Sequence, residues 1–528
     1  MNEKKLERAL SPESQGLSSQ AVLDFIDDIE KNNLELHSFM VLRHGKVLAE
    51  GWWQPYRPDV AHTMFSVSKS IIGTAIGFAI AEGKIALNTK VYELFPEYVP
   101  KKISDAAKTL TVEHLLTMTS GKVETIMYNT QKTGWISSYL KAPFISNPGR
   151  KFEYASENSY MLSAIIKRVS GQNAVDYLNP RLFEPLGIEK PFWETDTSGI
   201  EAGGWGLELK TEDMAKIIQC YLNRGKWNGR QVIPEFWAKT AGEEHIPKTP
   251  GVAPDHGSGY GYQIWRNSVP NSFRFDGVFS QMAIALEDYD ACIVITGGEP
   301  IESAVLEAVW RHFTTDFKNE PLPENPEALE ALKKRLGNLS LPRLPDTKRR
   351  LWLENRINGK LIKFPQGKKT SILTVSDNFI RSKKSGELNN IRFCFNDDYL
   401  EFCWTEKYDE CRIKVGYGSN FLISTADIAG VKMTFASSCA WREDGDLEVW
   451  VRCIELAQVK KLYFSFKNEK VRLKNKCEKG LYDLALFGMD FKGVKADDLI
   501  KKLAKGAAEA VEPLIDPDLT GEFFEPIF

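Results

Sequence analysis

The sequence lacks the long apolar runs that anchor a chain in a membrane. No run of about 18 apolar residues occurs, and the best candidate, 71–81, is short and holds two glycines. The first eight residues, Met-Asn-Glu-Lys-Lys-Leu-Glu-Arg, carry no apolar segment of the kind that signal peptides need. We therefore expect a cytoplasmic protein without a membrane partner.

An excess of charge of one sign is also missing. The 68 lysines and arginines nearly balance the 71 acidic residues, which leaves a net charge of −3. Such a balance gives no electrostatic reason to expect nucleic acid as a partner. The hydrophobic content of 43% is typical of globular proteins, and 528 residues exceed one ordinary domain. We expect two or three domains and leave the oligomeric state open.

Metal-binding sequence patterns are absent as well. The eight cysteines contain no C-x-x-C, and the seven histidines contain no H-x-x-x-H or H-E-x-x-H. Glu243, Glu244, His245 and His256 fall in a loop-like stretch. The cysteines are typical of buried, reduced thiols in a cytosolic protein, with a zinc site as the alternative. We predict no metal site and no cofactor.

The strongest chemical signal is a serine and a lysine three residues apart, Ser66 and Lys69. The apolar residues that follow have the spacing of one buried helix face: Ile72, Ala75, Ile76 and Ala79. Positions i and i+3 share a helix side, so the amine would lie beside the hydroxyl. A serine needs a base to become a nucleophile, and a lysine can act as that base if its pKa is lowered. The alternative is a helix cap followed by a solvated lysine.

A tyrosine, Tyr154, precedes a second buried helical pattern at 161–169. It follows the turn at 147–150 and a short extended run. A phenol is a feeble base at its ordinary pKa, but neighbouring ammonium groups lower that pKa and allow proton relay. The alternative is a packed aromatic ring with a solvated hydroxyl.

Strand patterns lie at both ends of a helical middle. Residues 38–43 and 46–50 form a hairpin pattern, and further strands follow near 272–286 and 291–296. These ends must pair in one antiparallel sheet covered by helices, which is an α+β or α/β sandwich arrangement; we predict the α+β class. We assign this part to a domain of residues 1–318.

A proline-rich linker at 319–326 separates this domain from a different pattern. A charged helix at 327–336 comes next, and short alternating strands then follow at 369–375, 391–395, 399–404, 447–453 and 461–466. Their spacing predicts an all-β barrel or sandwich. We find no catalytic constellation in residues 327–528 and predict an accessory domain.

Five short motifs occur in one order along residues 11–317: Phe65-Ser66-Val67-Ser68-Lys69, Leu115 to Gly121, Pro148-Gly149 through Tyr154, Gly203 to Leu207, and Asp276-Gly277 ahead of Ala291 to Thr296. Together they resemble the serine β-lactamase and penicillin-binding-protein superfamily. The nearest branch is the class C-like group of esterases, D-aminopeptidases and oligoamide hydrolases. The resemblance implies an antiparallel sheet covered by helices, with an inserted helical region, and an acyl-enzyme mechanism.

The resemblance also implies roles for three side chains. Ser66 would be the nucleophile, Lys69 its proton acceptor, and Tyr154 a general base and acid. The family's Y-x-N motif reads Tyr154-Ala155-Ser156 here, so Ser156 or the nearby Asn158 would take the place of the amide.

The family's third motif, normally K-T-G or H-x-G, reads Phe275-Asp276-Gly277 and has no cation at its first position. This argues against tight binding of a penicillin-like carboxylate, and the neighbouring Arg274 should face away on an alternating strand. We expect Phe275, Gly277 and Val278 beside the substrate, with an oxyanion hole from the N–H groups of Ser66 and Val278.

The sequence thus predicts a serine hydrolase that cleaves a small ester or amide through acyl-Ser66. Two alternatives remain. One is a β-lactamase or penicillin-binding protein, and the other is a catalytically weak ligand-binding scaffold of the same fold.

Overall fold

The computed structural model describes residues 5–99, 102–122, 134–247, 255–367, 370–374, 386–428, 430–467, 469–491, 494 and 498–524. The chain divides into two compact units. The first contains Met1–Trp52, Ala61–Leu339 and Asp490–Val494. The second contains Trp53–Val60, Ser340–Met489 and Lys495–Phe528.

The first unit is built on a seven-stranded sheet in the order β1-β3-β2-β11-β10-β9-β8. The strands of this unit are β1 (Glu7–Arg8), β2 (Leu36–Arg43), β3 (Lys46–Trp52), β4 (His62–Thr63), β5 (Glu208–Leu209), β6 (Lys226–Trp227), β7 (Arg230–Gln231), β8 (Trp265–Arg266), β9 (Ser272–Gly277), β10 (Gln281–Leu286) and β11 (Ala291–Gly297). The antiparallel register of β2 on β11 pairs Met40 with Val294. The predicted meeting of the two ends of this region in one sheet is therefore confirmed.

Helices cover this sheet. They are α1 (Ser19–Lys31), α2 (Val67–Ala81), α3 (Val91–Leu94), α4 (Asp105–Thr109), α5 (Val112–Leu116), α6 (Trp135–Lys141), α7 (Ser156–Ser170), α8 (Ala174–Leu178), α9 (Thr211–Leu222), α10 (Glu235–Thr240), α11 (Glu302–Val309) and α12 (Pro326–Leu336). Single 3-10 or π turns occur at Glu13–Gln15, Pro96–Tyr98, Asn179–Phe183, Glu287–Tyr289 and Trp310–Thr314.

Helix α2 is the central helix of the unit, since every residue from Val67 to Ala79 is buried. Its glycines allow this close packing. A Cβ on Gly77 would lie 2.4 Å from the ring of Trp237 on α10, and one on Gly73 would lie 3.2 Å from the side chain of Gln263. Because α2 is buried and tightly packed, the side chains on its first turn are held in fixed positions.

Within the described residues, the second unit is a β-rich domain with three helices, one of which ends in Asp490 and Phe491, two residues that group with the first unit. Its elements are α13 (Leu351–Ile357), β12 (Leu361–Lys363), β13 (Leu388–Phe395), β14 (Leu400–Glu406), β15 (Asp409–Tyr417), β16 (Leu422–Ile428), β17 (Val431–Trp441), β18 (Leu447–Cys453), β19 (Val459–Lys467), β20 (Lys470–Glu478), α14 (Leu481–Phe491), α15 (Asp498–Ile515) and β21 (Leu519–Phe524). The ten strands follow the order β15-β14-β13-β12-β21-β20-β19-β18-β17-β16. Strand β15 also pairs with β17, where Gly416 faces Ser438, so the sheet closes into a barrel.

Two details differ from the sequence prediction. Residues 370–374 form no strand. The Ser371 hydroxyl and the Ile372 N–H donate to the Glu406 carboxylate instead of pairing with a neighbouring strand. The two ends of that predicted strand lie outside the described residues. The helix assigned to the second domain, α12, groups with the first unit. Its Arg335 pairs with Glu30 of α1, and its Leu332 is buried.

Among the described residues, no helix is long and apolar enough to cross a membrane.

Candidate active site

Ser66 and Lys69 lie at the first turn of α2, with Ser66 as the N-cap residue. The Lys69 Nζ is 2.8 Å from the Ser66 Oγ and donates a second hydrogen bond of 2.7 Å to the Gly204 carbonyl. Lys69 is only 2% exposed. The structure therefore places the amine against the hydroxyl and away from water.

The backbone on both sides of this site is strained. Phe65, just before the serine, has φ of 43°, and Phe279, just after Val278, has φ of 67°. Both values lie in the left-handed region, which bulky residues rarely adopt. The two rings pack edge to face with centroids 5.5 Å apart. Strain of this kind concentrates at functional sites, where the surrounding packing holds it in place.

Gly277 brings the end of β9 against the nucleophile. A Cβ at this position would lie 2.4 Å from the Met64 carbonyl oxygen and 3.1 Å from the Ser66 backbone nitrogen. Only a glycine permits this approach. Val278 is the next residue of the chain after Gly277.

Phe275 does not line the cleft as predicted. It is fully buried, and its ring meets that of Tyr221 on α9 at 5.3 Å between centroids. Strand alternation explains this placement, because Arg274 and Asp276 share the opposite face of β9, where they bind each other. Phe275 is a core residue of the helix-covered side.

Tyr154 completes the group around the lysine. The Lys69 Nζ lies 4.9 Å from the centroid of the Tyr154 ring. Ser156 is the first residue of α7 and packs against the loop that contains Gly203 and Gly204. A Cβ on Gly204 would lie 3.0 Å from the Ser156 carbonyl oxygen. The start of α7 thus supports the carbonyl that holds Lys69.

Asn158 faces away from this group. Its side chain is fully buried, accepts a 2.9 Å hydrogen bond from the Tyr139 hydroxyl and lies 3.4 Å from the Met118 sulfur. The Asn158 amide therefore links α7 to α6 through its hydrogen bond with Tyr139. Of the two candidates for the family's amide role, Ser156 is the one beside the Lys69 loop.

Further aromatic rings pack around the ring of Tyr154. We call Phe152, Tyr154, Tyr260, Trp265 and Phe491 the aromatic cluster. The Tyr154 ring lies 5.5 Å from that of Trp265 and 5.7 Å from that of Phe491. Sequence reasoning missed Phe491, which is far along the chain and carries no motif.

Tyr260 is the other tyrosine of this cluster, and it differs from Tyr154 in its surroundings. Burial, together with the charges of Tyr154 and Asp276, raises the pKa of the Tyr260 phenol well above its ordinary value. It stays a neutral phenol at physiological pH. Tyr260 is therefore a packing partner of Tyr154 and a poor candidate for proton transfer.

The chain is similar to several known proteins. The family model described as Beta-lactamase matches residues 30–307, which is more than half of the chain. A 6-aminohexanoate-dimer hydrolase from Paenarthrobacter ureafaciens is 26% identical over 220 residues, 38% of this chain and 56% of the relative. Esterase EstB from Burkholderia gladioli is 26% identical over 178 residues, 28% of this chain and 44% of the relative. The chain thus spans about half the length of these curated relatives.

A solved structure of a penicillin-binding-protein homologue from Caulobacter crescentus aligns with 56% of this chain and 97% of its own, at 18% identity and a TM-score of 0.45. The family match covers α2 with Ser66 and Lys69, the Tyr154 segment and the end of β9. The chain belongs to the β-lactamase family.

Proposed function

We propose that the protein is a serine hydrolase that cleaves an ester or amide through an acyl-Ser66 intermediate. The observation that carries the proposal is the buried Lys69 amine, 2.8 Å from the Ser66 hydroxyl. A rigid helix mounts both groups, so their geometry needs no rearrangement before reaction. Nothing in the folding of α2 requires a buried lysine at that position.

In this mechanism Lys69, in its neutral form, accepts the proton of the Ser66 hydroxyl as the oxygen attacks the substrate carbonyl carbon. The carbonyl π bond opens, and its oxygen becomes an oxyanion. The N–H groups of Ser66 and Val278 would donate hydrogen bonds to this oxyanion. Gly277 supports this role, because its lack of a side chain keeps the two backbone segments together.

Collapse of the tetrahedral intermediate breaks the bond to the leaving group, which takes a proton as it departs. We assign that proton to Tyr154 or Lys69; the Lys69 Nζ lies 4.9 Å from the centroid of the Tyr154 ring. Water then attacks the acyl-Ser66 carbonyl, gives up a proton to the same groups, and releases the acid with regeneration of the Ser66 hydroxyl.

The surroundings of the site favour an uncharged, apolar substrate portion. The aromatic cluster lies beside the Ser66–Lys69 pair, and the first position of the third motif is the core residue Phe275. A β-lactam antibiotic needs recognition of its carboxylate, for which that position offers no cation. The names of two relatives, an amide hydrolase and an esterase, are consistent with either bond type.

The test is a panel of nitrophenyl esters of increasing chain length, a short linear amide and a chromogenic cephalosporin, with the Ser66→Ala variant as control. We expect turnover of esters or amides that is lost in Ser66→Ala, and little turnover of the cephalosporin. Mass spectrometry after treatment with a fluorophosphonate should place the label on Ser66.

Three results would contradict the proposal. Turnover that survives in Ser66→Ala would place the nucleophile elsewhere. Labelling of Ser66 without turnover of any substrate in the panel would favour the ligand-binding scaffold, and preferential hydrolysis of the cephalosporin would favour a β-lactamase.

A further inference from the structure

A second polar group lies behind β9, on the face opposite Phe275. It consists of His256, Asp276 and Glu302, which we call the His-Asp-Glu cluster. The His256 Nε2 is 3.3 Å from a Glu302 carboxylate oxygen and 3.7 Å from an Asp276 oxygen. One ligand atom from each residue lies within 4.8 Å of the others. All three side chains are buried, with exposures of 2%, 6% and 1%.

The hydrogen bonding of this cluster is incomplete. By hydrogen-bond geometry neither oxygen of Glu302 has a donor among the described residues, and the Nδ1 of His256 has no partner there either. Burial and the neighbouring Asp276 carboxylate, with which Glu302 can share a proton, raise the pKa of Glu302 well above its ordinary value. A buried carboxylate without donors is costly, so native proteins pair such groups, protonate them or bind a cation there. Glu302 is aimed at His256 and lacks the donors that a structural carboxylate normally has.

Arg274 does not supply these missing contacts. Its Nε donates to Asp276, and its Nη1 donates to the Asn267 side chain at 2.8 Å and to the Arg266 carbonyl at 3.1 Å. One guanidinium therefore faces two carboxylates. Asp255 and Asp490 add further negative potential at His256.

We propose that the His-Asp-Glu cluster is a binding site for a divalent metal ion of the zinc type. An imidazole nitrogen and two carboxylate oxygens are a ligand set that zinc accepts, with water in a remaining position. Arg274, hydrogen-bonded to Asp276, would orient that ligand as outer partners of metal sites commonly do.

Such an ion would join three separate elements. His256 belongs to the loop before β8, Asp276 to the end of β9, and Glu302 to the first turn of α11. Asp276 directly precedes Gly277, which touches the Ser66 backbone. The ion would thus brace the strand end beside the nucleophile. Sequence patterns missed this site because its ligands are not close together in the chain.

The test uses the full chain, stripped with EDTA and then titrated with Zn²⁺ by calorimetry. Co²⁺ provides a spectroscopic probe, because its visible bands report ligand geometry and a sulfur charge-transfer band would reveal binding to cysteine. We expect one ion per chain, no sulfur band and a higher melting temperature with metal. Glu302→Gln and His256→Asn should each weaken binding by at least ~100-fold, since even outer-partner changes cost 10–100-fold.

The matched control is His312→Gln, which removes another histidine beside a carboxylate, that of Asp28. It should leave Zn²⁺ affinity unchanged. The proposal would be overturned by the absence of stoichiometric binding, or by binding that the cluster variants do not weaken. A further outcome would also overturn it. If Glu302→Gln raised the melting temperature of the metal-free protein as much as metal raises that of the wild type, a protonated Glu302 would explain the unpaired carboxyl without any metal ion.

Discussion

The carboxylate of Asp490 accepts two hydrogen bonds from Ser303, one from the backbone N–H at 3.1 Å and one from the hydroxyl at 2.6 Å. Ser303 lies in the first turn of α11, where a helix presents free N–H groups and favours negative charge. This pair fixes the residue that follows, Phe491, whose ring lies 4.8 Å from that of His256. A segment distant in sequence thereby contributes to the candidate active site.

We predict that Phe491→Ala lowers kcat by ~10- to 100-fold, because the Tyr154 ring loses one wall of the aromatic cluster and small misplacements of catalytic groups are costly. Phe491→Leu, which keeps most of the apolar volume, should retain most of the activity. The measurement is steady-state kinetics on the best ester or amide of the panel, with stability followed in parallel.

The control for this prediction is Phe236→Ala, which removes an exposed ring that packs on Trp237, outside the aromatic cluster. It should leave kcat unchanged. Equal kcat values for Phe491→Ala and the wild type would show that Phe491 does not position Tyr154.

A second prediction concerns the contact between β9 and the nucleophile. Gly277→Ala places a methyl group 2.4 Å from the Met64 carbonyl oxygen, so the strand end must move. Loss of an oxyanion donor lowers kcat by ~10²–10³ in other enzymes, and we expect a fall in that range. Kinetics and circular dichroism together separate this effect from unfolding.

Gly337→Ala is the matched control, since its new methyl group would have no neighbour closer than 3.5 Å. Its φ of −71° suits alanine. We expect unchanged kcat and a gain in stability of up to ~1 kcal/mol from the stiffer unfolded chain. If both variants kept full activity, the close approach of Gly277 to Ser66 would have no catalytic importance.

The parts of the site that the sequence predicted are those that local geometry decides. The spacing of Ser66 and Lys69 fixes their relation on one helix turn, and the apolar periodicity beyond them indicates a buried helix. Tyr154 and Gly277 were found through the ordered family motifs. Their distances from Lys69 and Ser66 depend on how separate elements pack.

The parts that the sequence did not predict depend on long-range contacts. Phe491 and Glu302 reach the neighbourhood of β9 from the end of one helix and the start of another, and neither sits in a motif. Phe275 was assigned to the cleft from its motif position, whereas strand alternation turns it into the core. The barrel closure through β15 and β17 likewise has no local signal.

A third prediction separates the two tyrosines of the aromatic cluster. Tyr154→Phe keeps the ring and removes the hydroxyl, so we expect kcat to fall by ~10²–10⁴, the range of general acid–base catalysis. Tyr260→Phe is the matched control, because that phenol is buried and stays neutral. Its kcat should change by less than ~10-fold, as expected for a group that does not transfer a proton. Comparable losses in both variants would indicate a packing effect rather than proton transfer.

A buried histidine pair near the nucleophile leads to a prediction about pH. The His62 Nδ1 donates to the Thr63 carbonyl at 2.9 Å, and its Nε2 lies 2.9 Å from the His37 Nδ1. The carbonyl can only accept, so the His62 Nε2 is the acceptor from His37. Burial and the charge of His37 lower the pKa of His62 to about 3, although the hydrogen bond to the Thr63 carbonyl acts in the opposite direction.

This shift makes the folded state less stable in mild acid. Between pH 6.5 and about 3 the unfolded chain binds a proton at His62 that the folded chain does not, so stability falls as the pH falls. At ~1.36 kcal/mol per pKa unit, this group alone should lower the free energy of unfolding by about 2–3 kcal/mol from pH 7.5 to pH 4.5. His62→Gln keeps one donor and one acceptor but cannot titrate. Urea denaturation of both proteins at the two pH values should show a smaller loss in the variant, and equal losses would mean that His62 is not the titrating group.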